Sequence, residues 1–219
     1  MDPRSAVFFD VDGVLIDSVS AKGEAFAAAF AEFPEHRDAI IAVHFANGGV
    51  PRGRKFELIH EQILGTPLSS ARAEELTSRF AADVVRRVIA APEIPGAARA
   101  LADLYGRCRL HAISAVPTDE LEFVLASRGL LDYFASVHGV PPSKSETVAV
   151  LMASHGYRAD ACVFVGDSPH DYVAAADNAI AFIHVGPGLE DPVPGASAIV
   201  PDLRGLDSVV EQVLREARA

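Results

Sequence analysis

A single short apolar strand stands at the start of this chain, and the next strand candidate comes about a hundred residues later. The first run, Ala6-Val7-Phe8-Phe9-Asp10-Val11, is too short for a helix and stops at Asp12-Gly13. Its unbroken apolar character predicts a parallel sheet covered on both faces. Ser18 to about Ala90 reads as helix, with Phe26, Phe30 and Phe33 on one face. Phe56, Ile59 and Ile63 form a second stripe, and Leu76, Phe80, Val84 and Val88 recur every four residues. Breaks fall at Pro34, at Asn47-Gly48-Gly49-Val50-Pro51 and at Gly65-Thr66-Pro67, giving a bundle of about four helices in which residues 35 to 46 are the least defined.

After Pro92-Glu93-Ile94-Pro95-Gly96 a helix runs to Tyr105, and strands and helices then alternate. Strand candidates are Cys108–Ser114, Phe134–His138, Ala161–Gly166, Ala179–Val185 and Ala198–Val200. Helix candidates are Thr118–Arg128, Ser143–His155, Pro169–Asp177 and Leu206–Arg218. The alternation predicts an α/β fold: a Rossmann-like parallel sheet core with helices on both faces, from residues 1–16 and 91–219. Residues 17–90 are expected to form an inserted bundle of four helices. Open parallel sheets bind ligands beyond the carboxyl ends of their strands, where such an insert is placed to act as a lid.

The bulk numbers restrict the partners. The 219 residues, half of them apolar, can bury a sizeable core. A net charge of −11 argues against nucleic acid or an anionic membrane surface, though not against a small anion held by local cations. The two cysteines, Cys108 and Cys162, lie in apolar runs, and the expectation is burial in a cytoplasmic protein. No secretory signal or membrane-length apolar run is expected. The chain is expected to be a monomer or homodimer.

Four places carry chemistry. Asp10 and Asp12 end the first strand; an aspartate in an apolar run is costly unless it is paired or metal-bound. The turn Asp-Gly is also common by itself. Gly166-Asp167-Ser168-Pro169-His170-Asp171 ends another apolar strand, with Ser168 as helix N-cap, Pro169 as first helical residue and Asp171 at the capping-box position. Parallel strands place such ends on one side of the sheet, so Asp10, Asp167 and Asp171 can converge. Two carboxylates 4 Å apart repel by about 4 kcal/mol at an effective dielectric of 20, so a cluster calls for a cation. An all-oxygen shell favours Mg2+ over Zn2+. Ser114 ends a third apolar run, and Lys144 occupies the first turn of a helix, where the dipole disfavours a cation.

Taken in order, these motifs resemble those of the haloacid dehalogenase superfamily, over essentially the whole length. Asp10-Val11-Asp12-Gly13-Val14-Leu15 resembles its first motif, Ser114 its second, Lys144 its third and Gly166 to Asp171 its fourth. Two departures stand out: Ala115 follows Ser114 where Asn is frequent, and Ser145 follows Lys144 where Pro is frequent. The resemblance implies that Asp10 attacks a phosphate and forms an aspartyl phosphate, with Asp12 as acid and then base. It implies that Ser114 and Lys144 bind phosphoryl oxygens. It implies Mg2+ on the Asp10 side chain, the Asp12 carbonyl and Asp167, with Asp171 orienting that shell. Members that cleave carbon–halogen or carbon–phosphorus bonds lack an acid at the position of Asp12, so its presence points to phosphate esters.

The expected function is therefore a magnesium-dependent phosphatase acting on a small phosphate monoester. A sugar phosphomutase of the same superfamily is one alternative, and a non-catalytic binding protein on this scaffold is another. A phospho-receiver domain is excluded by the insert and by the acid pair on the first strand. Within the insert, Arg52 and Lys55 lie in a basic turn of an acidic protein and are candidates for binding an anionic part of the substrate. His44, His60, His138 and His170 are scattered and read as surface or packing residues.

Overall fold

The computed structural model describes residues 5–186 and 193–218. Six strands form one sheet: β1 (Ala6–Phe9), β2 (Arg109–Ile113), β3 (Ser136–His138), β4 (Cys162–Gly166), β5 (Ala181–Val185) and β6 (Ala198–Val200). Their order is β3-β2-β1-β4-β5-β6, and every pairing is parallel. β1 lies at the centre with all four residues fully buried. That burial on two faces is why its sequence shows no alternation.

The chain divides into two compact units, Met1–Ile16 with Glu93–Ala219, and Asp17–Pro92. The second boundary falls slightly beyond the expected residue 91. The Ile94 amide donates to the Leu15 carbonyl at 3.1 Å, which ties the returning chain to the end of the first segment.

The helical unit contains α1 (Val19–Ala29), α2 (Arg37–Ala46), α3 (Arg52–Ile59) and α4 (Ser70–Ala90). Phe26, Phe30, Phe56 and Phe80 form its aromatic core, with Phe26 and Phe80 ring centroids 4.5 Å apart. Residues 35 to 46 resolve into a 3-10 turn, Pro34–His36, followed by α2. Two expected positions depart from the stripes. Phe33 lies beyond the end of α1 and is half-buried, because a residue before proline is pushed out of the helical region. Ile63 sits in a π turn, His60–Leu64, whose extra residue per turn rotates it off the Phe56–Ile59 face.

In the α/β unit the helices are α5 (Ala97–Leu104), α6 (Thr118–Ser127), α7 (Lys144–His155), α8 (Pro169–Asp177) and α9 (Leu206–Glu216). Alternate strand residues Ala6, Phe8, Cys162, Phe164 and Phe182 pack with Val148 and Leu151 of α7 and Ala174 and Ala175 of α8. The intervening residues face the other side, which α9 covers together with α5. His111, in the middle of β2, is fully buried and neutral: burial, helped by His155 and His138, holds it down to about 4. Its ring nitrogens meet Ser136 Oγ at 2.7 Å and Tyr157 OH at 2.9 Å. Both cysteines are free, and burial pushes their thiols up to about 11. Among the described residues no helix is long and apolar enough to cross a membrane.

Candidate active site

The strand order decides which side chains meet. β1 sits between β2 and β4, so the residues that follow these three strands share one edge of the sheet. β1 stops at Phe9, two residues earlier than expected. The Asp10 amide still donates to the Val165 carbonyl at 2.9 Å, but the chain then turns. The Leu15 and Ile16 amides donate back to the Val11 carbonyl, and Gly13 takes φ 81°. This tight turn makes Asp10 and Asp12 the last groups at the strand end.

Asp10 is buried, and one of its oxygens accepts from the Val11 amide at 2.7 Å. The other lies 2.9 Å from the Lys144 ammonium. Lys144 opens α7, where Ser143 and Glu146 form a capping box that satisfies the helix end. Its side chain is thereby released to turn inward, and it is buried. The same ammonium donates to Asp171 Oδ1 at 2.6 Å. Asp171 has no exposure at all. Its second oxygen accepts from the Ser168 amide at 3.1 Å and the Ser168 hydroxyl at 2.7 Å. The capping box and the charge pair are thus made by one carboxylate. Just beyond β2, the Ser114 hydroxyl donates to Asp12 Oδ2 at 3.2 Å, and the Ser114 amide donates to the His138 carbonyl at 3.0 Å.

The electrostatics of this cluster oppose one another. Burial pushes Asp10 up to about 7, with Asp171 and Asp12 adding to the rise and Lys144 opposing it. Asp167 is raised well above its ordinary range, first by burial and then by Asp10 and Asp171. Burial pulls Lys144 down, but the Asp10 and Asp171 carboxylates outweigh it and hold the ammonium charged. Both ends of the Lys144–Asp10 pair are raised. For the lysine attraction wins; for the aspartate, desolvation wins.

Asp10, Asp167 and Asp171 offer oxygens that all lie within 4.8 Å of one another. One lysine does not balance three carboxylates, and an oxygen-only donor set suits a hard divalent cation. Asp171 commits one oxygen to Lys144 and the other to Ser168, whereas Asp10 commits its oxygens to the Val11 amide and Lys144.

Three features escaped the sequence reading. The direct Lys144–Asp171 contact joins two motif residues whose pairing the sequence does not show. Gly166 is required: a Cβ there would lie 2.3 Å from the Asp171 Cβ. Gly139 is similar, since a Cβ would lie 2.1 Å from the Val116 carbonyl oxygen. The available signal for Gly166 was a glycine closing an apolar strand just before an acidic turn.

Arg52 and Lys55 belong to the helical unit. The Arg52 guanidinium stands 5.0 Å from the Phe80 ring centroid. Lys55 is buried, with its ammonium 3.1 Å from His44 Nδ1. The third cation of that turn, Arg54, pairs with Glu57 and Glu61 on an exposed face.

Residues 5–178 match the model of the haloacid dehalogenase-like hydrolases. The chain therefore belongs to the haloacid dehalogenase-like hydrolase family. It is 29% identical over 194 residues to "Probable phosphatase IndB" of Dickeya dadantii (strain 3937), covering 83% of this chain and 81% of that protein. The fold is shared with a β-phosphoglucomutase of Clostridium difficile: TM-score 0.75, 17% identity, 97% of each chain covered. It is also shared with YfnB of Bacillus subtilis bound to magnesium: TM-score 0.70, 16% identity, 94% of this chain and 98% of that one.

Proposed function

We propose that the chain is a phosphatase that hydrolyses a small-molecule phosphate monoester through an aspartyl phosphate on Asp10. The observation that carries this reading is the buried Lys144 ammonium held between Asp10 and Asp171, next to an Asp12 engaged by Ser114. A nucleophilic carboxylate must be ionised and aimed. Lys144 favours the ionised form, and the Val11 amide fixes the carboxylate direction.

The sequence of steps follows from the groups present. An Asp10 carboxylate oxygen attacks phosphorus while the bond to the ester oxygen breaks. The Asp12 carboxyl gives its proton to that oxygen, so the alcohol leaves neutral. The Asp12 carboxylate then takes a proton from water, whose oxygen displaces phosphate and restores Asp10. Ser114 and Lys144 bind the transferring oxygens throughout. Mg2+, held by Asp10, Asp167 and the Asp12 carbonyl and oriented through Asp171, would supply charge neutralisation on the phosphoryl group.

The helical unit is the cap in this reading, and Arg52 and Lys55 select the substrate by its non-transferred anionic part. The similarity to a probable phosphatase supports hydrolysis over isomerisation. The acidic charge favours a small metabolite over nucleic acid. The free cysteines, buried Cys162 and half-buried Cys108, are in keeping with a reducing cytoplasm.

The test is release of inorganic phosphate from a panel of phosphorylated metabolites with Mg2+, comparing wild type with Asp10→Asn. Magnesium-dependent release that Asp10→Asn abolishes is expected. Undiminished release by purified Asp10→Asn would overturn the assignment, and an isomeric sugar phosphate without phosphate release would mark a mutase.

A further inference from the structure

Lys144 can bridge Asp10 and Asp171 only while the first turn of α7 keeps one distance from α8 and one position along it. Its ammonium meets the two carboxylates at 2.9 Å and 2.6 Å, and they belong to different elements. A displacement of about 1 Å takes either contact out of hydrogen-bond range. The capping box of Ser143 and Glu146 satisfies the end of α7 but lies wholly within that helix. Val148 and Leu151 of α7 pack with Ala174 and Ala175 of α8. Apolar contact has no direction, so it sets how close the helices come and does little to stop them sliding.

A polar tie fixes the position along the helices. Asn178 is the C-cap of α8 and is half-buried. Its side-chain nitrogen donates to the Ser145 carbonyl of α7 at 3.0 Å and to the Ala174 carbonyl of α8 at 2.8 Å. A carboxamide nitrogen carries two hydrogens, so both are used, one on each helix. The Ser145 hydroxyl donates in the opposite direction, to Asp177 Oδ2. Two adjacent residues at the end of α8 thus hold the one residue that follows Lys144.

We propose that Asn178 and Ser145 are positioning residues for Lys144. Through the first turn of α7 they keep its ammonium where it meets Asp10, Asp171 and the phosphoryl oxygens of a bound ester. The last of these contacts rests on the reading of the chain as a phosphatase; the first two do not.

The placement of the ammonium can be read without a substrate. The chain has three lysines, Lys22, Lys55 and Lys144, so loss of a signal in Lys144→Met identifies Lys144 in a nitrogen-15 lysine spectrum. The full chain is compared in EDTA as wild type, Asn178→Asp, Asn178→Ala, Ser145→Ala and Ser145→Thr. Asn178→Asp keeps the shape and replaces both donors by an acceptor facing two carbonyls. Leu101→Ala is the control, because Leu101 is fully buried in α5 on the other side of the sheet. The Lys144 signal should shift or broaden in both Asn178 variants and less in Ser145→Ala. It should return toward wild type in Ser145→Thr and stay in place in Leu101→Ala. With Mg2+ and p-nitrophenyl phosphate, kcat/KM should fall about tenfold or more in Asn178→Asp and about threefold in Ser145→Ala. Leu101→Ala should stay within about twofold of wild type despite a lower Tm.

A Lys144 signal unmoved in both Asn178 variants, or moved as much by Leu101→Ala, would overturn the proposal. So would unchanged kcat/KM in both Asn178 variants of an enzyme that Lys144→Met inactivates. If Asn178→Asp does not fold, Asn178→Ala and Ser145→Ala carry the same comparison. A moved signal in a protein whose phosphate release survives Asp10→Asn would support the tie and overturn the phosphatase reading instead.

Discussion

Asp10→Asn should make the metal-free protein more stable while destroying its activity. Burial lifts the Asp10 carboxyl from an ordinary 3.8 to about 7. In the unfolded chain the same group ionises near 3.8. A folded pKa above the unfolded one means that the stability associated with the protonated form is complete below about pH 4. It is lost as pH rises toward 7. One pKa unit is worth about 1.36 kcal/mol, so the full shift sets a ceiling of about 4 kcal/mol. Asp167 and Asp171 share the same field, so about 2–4 kcal/mol is expected. The asparagine is neutral at every pH and avoids this cost. The assay is urea denaturation of wild type and variant in EDTA, at pH 5 and pH 8. The variant should gain about 2–4 kcal/mol at pH 8 and much less at pH 5, where the wild-type carboxyl is largely protonated. Mg2+ should narrow the gap at pH 8 by stabilising only the wild type appreciably. A variant less stable than wild type at pH 8, or a gap independent of pH, would refute the reasoning.

Other outcomes follow from the same geometry. Lys144→Met removes the cation from between two buried carboxylates, and denaturation at pH 8 in EDTA should show a loss of about 3–5 kcal/mol, with phosphate release abolished. Gly166→Ala forces β4 and α8 apart, because the new methyl would overlap Asp171; a loss of about 1–3 kcal/mol or more is expected, read as a drop in Tm, with kcat falling in parallel. Ser168→Ala removes the hydroxyl that both caps α8 and holds Asp171 Oδ2; thermal unfolding should report about 1 kcal/mol lost, and the Mg2+ concentration needed for half-maximal activity should rise.

The strand ends were readable in the sequence because three apolar runs each stop at a polar residue that has no packing reason to be there. Asp10, Ser114 and Asp167 are those residues, and parallel topology brings them to one edge. The insert was readable from the absence of strand patterns between Ser18 and Ala90. What stayed hidden depends on helix-to-helix proximity. Lys144 and Asp171 open α7 and α8, and only the packing of those helices against each other and the sheet makes them partners. His111 was hidden for a related reason. Its hydrogen-bond partners, Ser136 and Tyr157, come from β3 and from the segment after α7, so nothing near it in the sequence shows how it is satisfied. In the insert, the stripes failed only where the backbone left ideal helix geometry, at Pro34 and in the π turn.

The central position of β1 has a consequence for how the protein is made. Ala6 pairs with Arg109 on one side and with Cys162 on the other. Neither partner exists when β1 leaves the ribosome. At about 5–20 residues per second, β4 follows roughly 10–30 s later. Through that interval a fully apolar segment, Ala6–Phe9, has no sheet to join, while residues 17–92 can build their contacts among themselves. The wait is long compared with the microseconds in which hydrophobic chains collapse. Chaperone dependence during synthesis should therefore centre on the first ten residues, and a circular permutant that places β1 between β2 and β4 in sequence should shed it.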